Sequence, residues 1–145
     1  MRTQNPSDLL VAKASTTAKA YVNADLDLSF SPNPITGDIN PLRDIEAIKR
    51  SVRNLILTNF QERPFQPEIG SGVRGLLFEL ADPITMHEIE TAISRTIANF
   101  EPRVILTEVL IKDNVDDNAY HVSISFQIIA TEQVGTATII LERLR

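Results

Sequence analysis

Gly70-Ser71-Gly72-Val73-Arg74-Gly75 is the run in this chain that most invites a chemical reading. It fits the spacing G-x-G-x-x-G. That motif binds a dinucleotide when a strand precedes it and a helix follows, so that the helix N-terminus meets the pyrophosphate. The preceding residues Arg63-Pro64-Phe65-Gln66-Pro67-Glu68 hold two prolines in a short stretch, which spoils a buried strand. A shaped structural turn is therefore expected, without a cofactor. Ser71 is poorly placed as a nucleophile, because the elbow G-x-S-x-G separates each glycine from the serine and here the glycines flank it directly. His87 and His121 are the only histidines, and His87-Glu88 does not extend to H-E-x-x-H because position 91 is Thr91. With no cysteine either, a zinc site is not expected. Asp113, Asp116 and Asp117 lack the EF-hand spacing and its glycine, and read as a solvated hairpin tip. Glu62, Glu68, Glu79 and Glu101 lie on or near the glycine-rich stretch. A glycosidase needs two acids roughly 5–10 Å apart across a sugar cleft, and a chain with no tryptophan and two tyrosines offers little to grip a sugar. No catalytic, metal-binding or cofactor-binding residue is assigned, and no cell-wall hydrolysis is expected.

Glu101-Pro102-Arg103 is the more informative triplet. Proline fixes the backbone and sets an acid and a base beside one another where a helix should give way to a strand. It reads equally as a helix stop with a surface ion pair and as a rigid docking point offering charge to a partner.

The elements around these residues follow from periodicity. Leu26, Leu28 and Phe30 alternate with Asp25, Asp27 and Ser29, so a strand is expected over Ala24 to Phe30. Pro32, Pro34 and Gly37 make a loop. Asn40-Pro41 has the form of a helix start, and Ile45, Ile48, Val52, Leu55 and Ile56 continue at helical spacing to about Thr58. Residues 61–75 form an irregular loop, and Leu76 to Leu80 a short helical exit from it. Asp82-Pro83 opens a second helix. Its apolar stripe is Met86, Ile89, Ile93, Ile97 and Phe100, and it stops before Pro102. Three strands joined by hairpins follow, over Val104 to Lys112, Ala119 to Ala130 and Thr136 to Leu144. In the first of them Ile105, Val109 and Ile111 are expected on one face, with Val104, Leu106 and Leu110 on the other. A strand apolar on both faces is covered twice, once by the domain's helices and once by a partner or the arm. The fold class is α+β: an antiparallel sheet of about four strands packed with two main helices and one short helical segment. Residues 1–20 read as an N-terminal arm, and residues 21–145 as one domain.

The chain's 145 residues suit one domain with a real core. A net charge of −5 without a basic cluster argues against nucleic acid as a partner. No apolar run approaches the ~20 residues needed to span a bilayer, so no membrane role is expected. The apolar stretch Leu9 to Ala12 is too short for a signal peptide, and the product reads as cytoplasmic.

Taken together, the run from Glu62 to Glu79 resembles the signature of the baseplate wedge family of contractile-tailed phages, which type VI secretion and other contractile injection systems also carry. The shared features are Glu62-Arg63-Pro64-Phe65, the turn Gly70-Ser71-Gly72, Leu76-Leu77-Phe78-Glu79, and later Glu101-Pro102-Arg103 at the end of a helix. The resemblance covers about residues 40–145. Gln66 stands where the family often has a basic residue, and Glu68 where it often has aspartate.

The resemblance implies a structural protein of the inner baseplate wedge, located in the virion tail baseplate and assembled in the host cytoplasm. It implies docking to wedge core proteins through Glu101, Pro102 and Arg103, with tail sheath subunits and the tail tube or hub as further neighbours. It also implies that the last strand is an edge on which the first sheath ring polymerises. Arg63, Pro64, Phe65, Gly70, Ser71 and Gly72 become a structural loop. The family has also been labelled lysozyme-like, which makes a cell-wall hydrolase the alternative from another class.

Overall fold

A computed structural model describes residues 23–143. The expected arm over 1–20, residues 21–22 and residues 144–145, with the expected end of the last strand at Leu144, lie outside the described residues. The chain is an α+β protein. A short antiparallel ribbon pairs β1 (Ala24–Leu26) with β2 (Pro41–Arg43). Helices α1 (Asp44–Leu57), α2 (Val73–Leu76) and α3 (Pro83–Phe100) follow. An antiparallel sheet in the order β3-β4-β5 then closes the fold, built from Val104–Asn114, Ala119–Ile128 and Val134–Glu142.

The sheet is organised by its central strand. In β4, Tyr120, Val122, Ile124, Phe126 and Ile128 are buried, while His121, Ser123, Ser125 and Gln127 are only partly covered. The buried side meets Ile48, Val52 and Ile56 of α1 and Ile89, Ile93 and Ile97 of α3 in one core. Each such isoleucine contributes about 1.5–3 kcal/mol relative to exposure, so the two helical stripes and the strand alternation together specify which faces meet. Helix α3 begins as expected: the Asp82 carboxylate accepts the Thr85 amide at 2.7 Å, Pro83 occupies the first turn, and the Glu101 amide closes the end on Ile97 O at 2.9 Å.

Five expectations are corrected. The strand over Ala24 to Phe30 ends at Leu26, because Asp27 folds the chain back: its side chain accepts the Ser29 amide and its carbonyl the Phe30 amide, with Phe30 at φ 54°. The sheet of about four strands is accordingly a three-stranded sheet plus a separate two-stranded ribbon. Helix α1 does not begin at Asn40-Pro41. The Asn40 side chain is held by Asn33 at 2.9 Å, Pro41 pairs with Leu26, and the chain enters the helix only at Asp44, at φ 44°. The short helix covers Val73–Leu76 rather than Leu76 to Leu80, because Gly72 at φ 67° starts it and only three-residue turns continue beyond it to Glu79.

The fifth correction concerns β3. A bulge between Leu106 and Glu108 resets the alternation, so Val104, Leu106, Val109 and Ile111 share the core side, while Ile105 and Leu110 face outward, 57% and 44% exposed. One extra residue in a strand exchanges every later side chain between faces. Of the six apolar residues of this strand only Val104 is buried, which leaves the outer face uncovered among the described residues.

Candidate docking site

Glu101 ends α3 with its side chain turned inward, and it is 2% exposed. One oxygen accepts Arg103 Nε at 2.5 Å; the other accepts Arg103 Nη2 at 2.7 Å and the Ser51 hydroxyl of α1 at 2.5 Å. This is a two-pronged guanidinium–carboxylate pair with a third donor, which fixes the Arg103 side chain in one orientation. Burial is the largest single influence on Glu101 and opposes its ionisation. The hydrogen bonds from Arg103 and Ser51 and the Arg103 charge outweigh it and hold the carboxyl below its ordinary value of 4.5. Outward, the triplet presents exposed Pro102 and the solvent side of Arg103, whose side chain is 37% exposed. The acid is thus a clamp for the base. Sequence alone gave no sign of Ser51, whose mid-helix position looks like any solvated serine.

A group whose folded pKa is depressed stabilises the fold above its unfolded pKa, and that contribution is lost as pH falls through the folded value. The stability advantage of wild type over Glu101→Gln should therefore be constant above pH 4.5 and shrink in more acid buffers. Thermal melts of both proteins across a pH series measure it. A gap that widens on acidification would sink the assignment.

The glycine-rich loop divides into a buried half and an exposed half. Gly70 and Ser71 are buried, the Ser71 hydroxyl donates to Ile56 O at 2.6 Å and accepts the Val73 amide at 3.2 Å, and the Ser71 amide bonds Thr58 O at 3.0 Å. A hydroxyl so engaged is a brace for the end of α1. Arg63, Pro64 and Phe65 face solvent. Phe65 is wholly exposed at φ 70°, a conformation that non-glycine residues rarely adopt. The four-residue α2 and the turns before Gly70 provide neither the strand nor the helix that a dinucleotide site needs.

The remaining candidates stay apart. His87 lies exposed on α3, 3.6 Å from Glu90, and His121 on the outer sheet face, 3.4 Å from Asn114. Asp113 pairs with Arg143, and Asp117 accepts Asn114 at 2.7 Å. Among the described residues, no cluster of His, Asp or Glu could hold a metal ion, and no helix is long and apolar enough to cross a membrane.

The last strand, β5, is an edge of the sheet. Among the described residues its backbone makes no hydrogen bond on the side away from β4. Its register with β4 is unbroken from Val134 to Glu142, with no proline, lysine or bulge to blunt it.

Comparison with known proteins gives the family. The family model described as "Baseplate wedge protein gp25" matches residues 43–133. The protein of that name from Enterobacteria phage T4 is 31% identical over 111 residues, spanning 77% of this chain and 82% of the relative. Three solved structures share the fold. A crystal structure named for a supposed tail lysozyme of Geobacter sulfurreducens has a TM-score of 0.64 at 20% identity, covering 68% of this chain and 89% of its own. A chain of the anti-feeding prophage baseplate has 0.59 at 20%, covering 85% and 87%. One from the post-contraction baseplate of pyocin R2 has 0.57 at 22%, covering 73% and 98%. The chain belongs to the family of baseplate wedge protein gp25.

Proposed function

We propose that this chain, a structural baseplate protein by its family, docks to the wedge core through the α3–β3 junction and offers β5 as the edge on which sheath assembly starts. The observation that carries the docking half is the clamp at Glu101. A buried carboxylate holds Arg103 by two hydrogen bonds beside exposed Pro102, so the surface is preorganised and loses little side-chain entropy on binding. The same geometry argues against hydrolysis. A glycosidase acid has a raised pKa and faces a cleft, whereas Glu101 is buried, ionised and bonded by three donors. Glu62, on the exposed loop, is engaged by the Asn59 amide at 2.7 Å.

The test is affinity purification of the tagged chain from cells producing the intact machine, with partners identified by mass spectrometry. Wild type should recover wedge and sheath subunits. The double variant Glu101→Ala with Arg103→Ala, once shown to be folded, should recover at least about ten-fold less wedge protein, the scale of one or two lost anchor contacts. Undiminished recovery by a folded double variant would remove the triplet from the interface.

A further inference from the structure

The free edge of β5 is not bare. Two grooves follow one another along it, each walled on the other side by α1, which runs in the same direction as the strand. The first, of about 230 Å³, lies between Thr136–Thr138 and the flank of α1 that carries Glu46, Lys49, Arg50 and Arg53. The second, of about 290 Å³, lies between Ile140–Glu142 and the end of α1 with α2, and its walls are Ile56, Leu57, Val73, Leu77 and Arg74.

Four cations and two acids line the pair of grooves, on a chain whose net charge is −5. Lys49 is matched by Glu46 at 3.0 Å and Arg50 by Asp27 at 3.1 Å, but Arg53 and Arg74 are exposed and carry no ion pair among the described residues. The second groove adds apolar surface in Leu57, 47% exposed, and Ile140, 56% exposed.

We infer that the β5 edge takes an extended segment of a partner protein that carries acidic residues along Thr136–Thr138 and apolar residues along Ile140–Glu142. This rests on the reading of β5 as an acceptor edge. Main-chain hydrogen bonding supplies the pairing in strand addition, and the groove walls supply the selection. At about 3.3 Å per residue, the nine residues of β5 accommodate an occupant of seven to nine. Pairing to β5 sends side chains alternately toward the grooves and away, so acids at every second position would reach Arg53. Pairing β5 with the β5 of a second copy does not complement it, since β5 carries one acid, Glu142, and the two copies would bring like cations together.

Fluorescein-labelled nonapeptides test this: one half alternating Glu with Thr, the other alternating Ile with Thr, made in both orders, each with a version in which Lys replaces Glu. The tighter acidic peptide should bind the full chain at least ten-fold more strongly than its lysine version. It should also weaken several-fold between 50 and 300 mM salt (about the range over which surface charge is screened). Its binding should slow amide exchange within Val134–Glu142. Arg53→Glu with Arg74→Glu, both at exposed positions, should reverse the charge preference. Equal binding of the two versions, absence of binding, or dimerisation of the chain through β5 would overturn the inference.

The sheath subunit itself separates the two levels. If it protects β5 from exchange and binds the charge-reversed variant as well as wild type, the acceptor edge stands and the acidic occupant falls. If it binds without protecting β5, the acceptor edge itself falls.

Discussion

Glu101→Ala should destabilise the fold more than the double replacement Glu101→Ala with Arg103→Ala. Removing one partner of a buried ion pair strands the other, at a cost of roughly 3–5 kcal/mol where both are fully enclosed. Arg103 is 37% exposed and can partly rehydrate, so about 2–3 kcal/mol is expected for Glu101→Ala, the unpartnered Ser51 hydroxyl included. The double variant leaves no stranded charge and should lose about 1–2 kcal/mol. For a chain of this size that is a difference of a few degrees in Tm. A urea-denaturation cycle of wild type, both single variants and the double measures it. Additive losses would mean that the pair is not coupled and that Glu101 is held by burial alone. The result also decides how docking is probed, because a single glutamate replacement confounds lost binding with lost stability.

Where the sequence could be read and where it could not has a common physical cause. Periodic signals survive because they summarise many side chains at once. Ile89, Ile93 and Ile97 fix the face of α3, and the alternation from Tyr120 to Ile128 fixes the face of β4, whatever their neighbours do. Signals that depend on one residue's partner do not survive. Leu26, Leu28 and Phe30 alternate well, yet Asp27 finds local amides and Arg50 across the chain and turns them to solvent, 49%, 53% and 61% exposed. Asn40-Pro41 has the form of a helix start, yet Asn40 is already bonded to Asn33 and Pro41 to the ribbon. The bulge in β3 has no glycine or proline to announce it, and one unpaired residue there exchanged the expected faces of Val109, Leu110 and Ile111.

The candidate site divides the same way. Glu101-Pro102-Arg103 was legible as a rigid junction, because proline's restriction is local. That the acid faces inward to Ser51, fifty positions earlier in the chain, is a tertiary fact that no local pattern encodes. The loop's irregular turns were legible from its glycines, but not the contrast between buried Ser71 and exposed Phe65, six positions apart on the same turn-rich stretch. The β5 grooves were illegible for a further reason: they need Arg53 from one helix, Arg74 from another and the strand, three separate regions of sequence.

Replacing glycines of the loop one at a time should separate three kinds of requirement. A Cβ on Gly70 would lie 2.6 Å from Asn59 C and 2.7 Å from Phe60 N. Both are main-chain atoms of the segment leaving α1, where the neighbouring Ser71 amide bonds Thr58, so neither can yield without breaking that join. Gly70→Ala should cost about 3 kcal/mol, the upper range for overpacking. Gly72 sits at φ 67° and its added Cβ would meet the Phe60 ring at 2.7 Å. The backbone strain remains, at about 1–2 kcal/mol, but the ring is 47% exposed and can swing aside, so Gly72→Ala should cost about that and no more. Gly75 lies within α2 with nothing within 4 Å of an added Cβ, and Gly75→Ala should be neutral or stabilise by about 0.5–1 kcal/mol by restricting the unfolded chain. Chemical denaturation of the three variants reads the order directly. If Gly70→Ala proves as mild as Gly75→Ala, the loop is not packed against the end of α1, and its role as the rigid brace between α1 and α2 is lost.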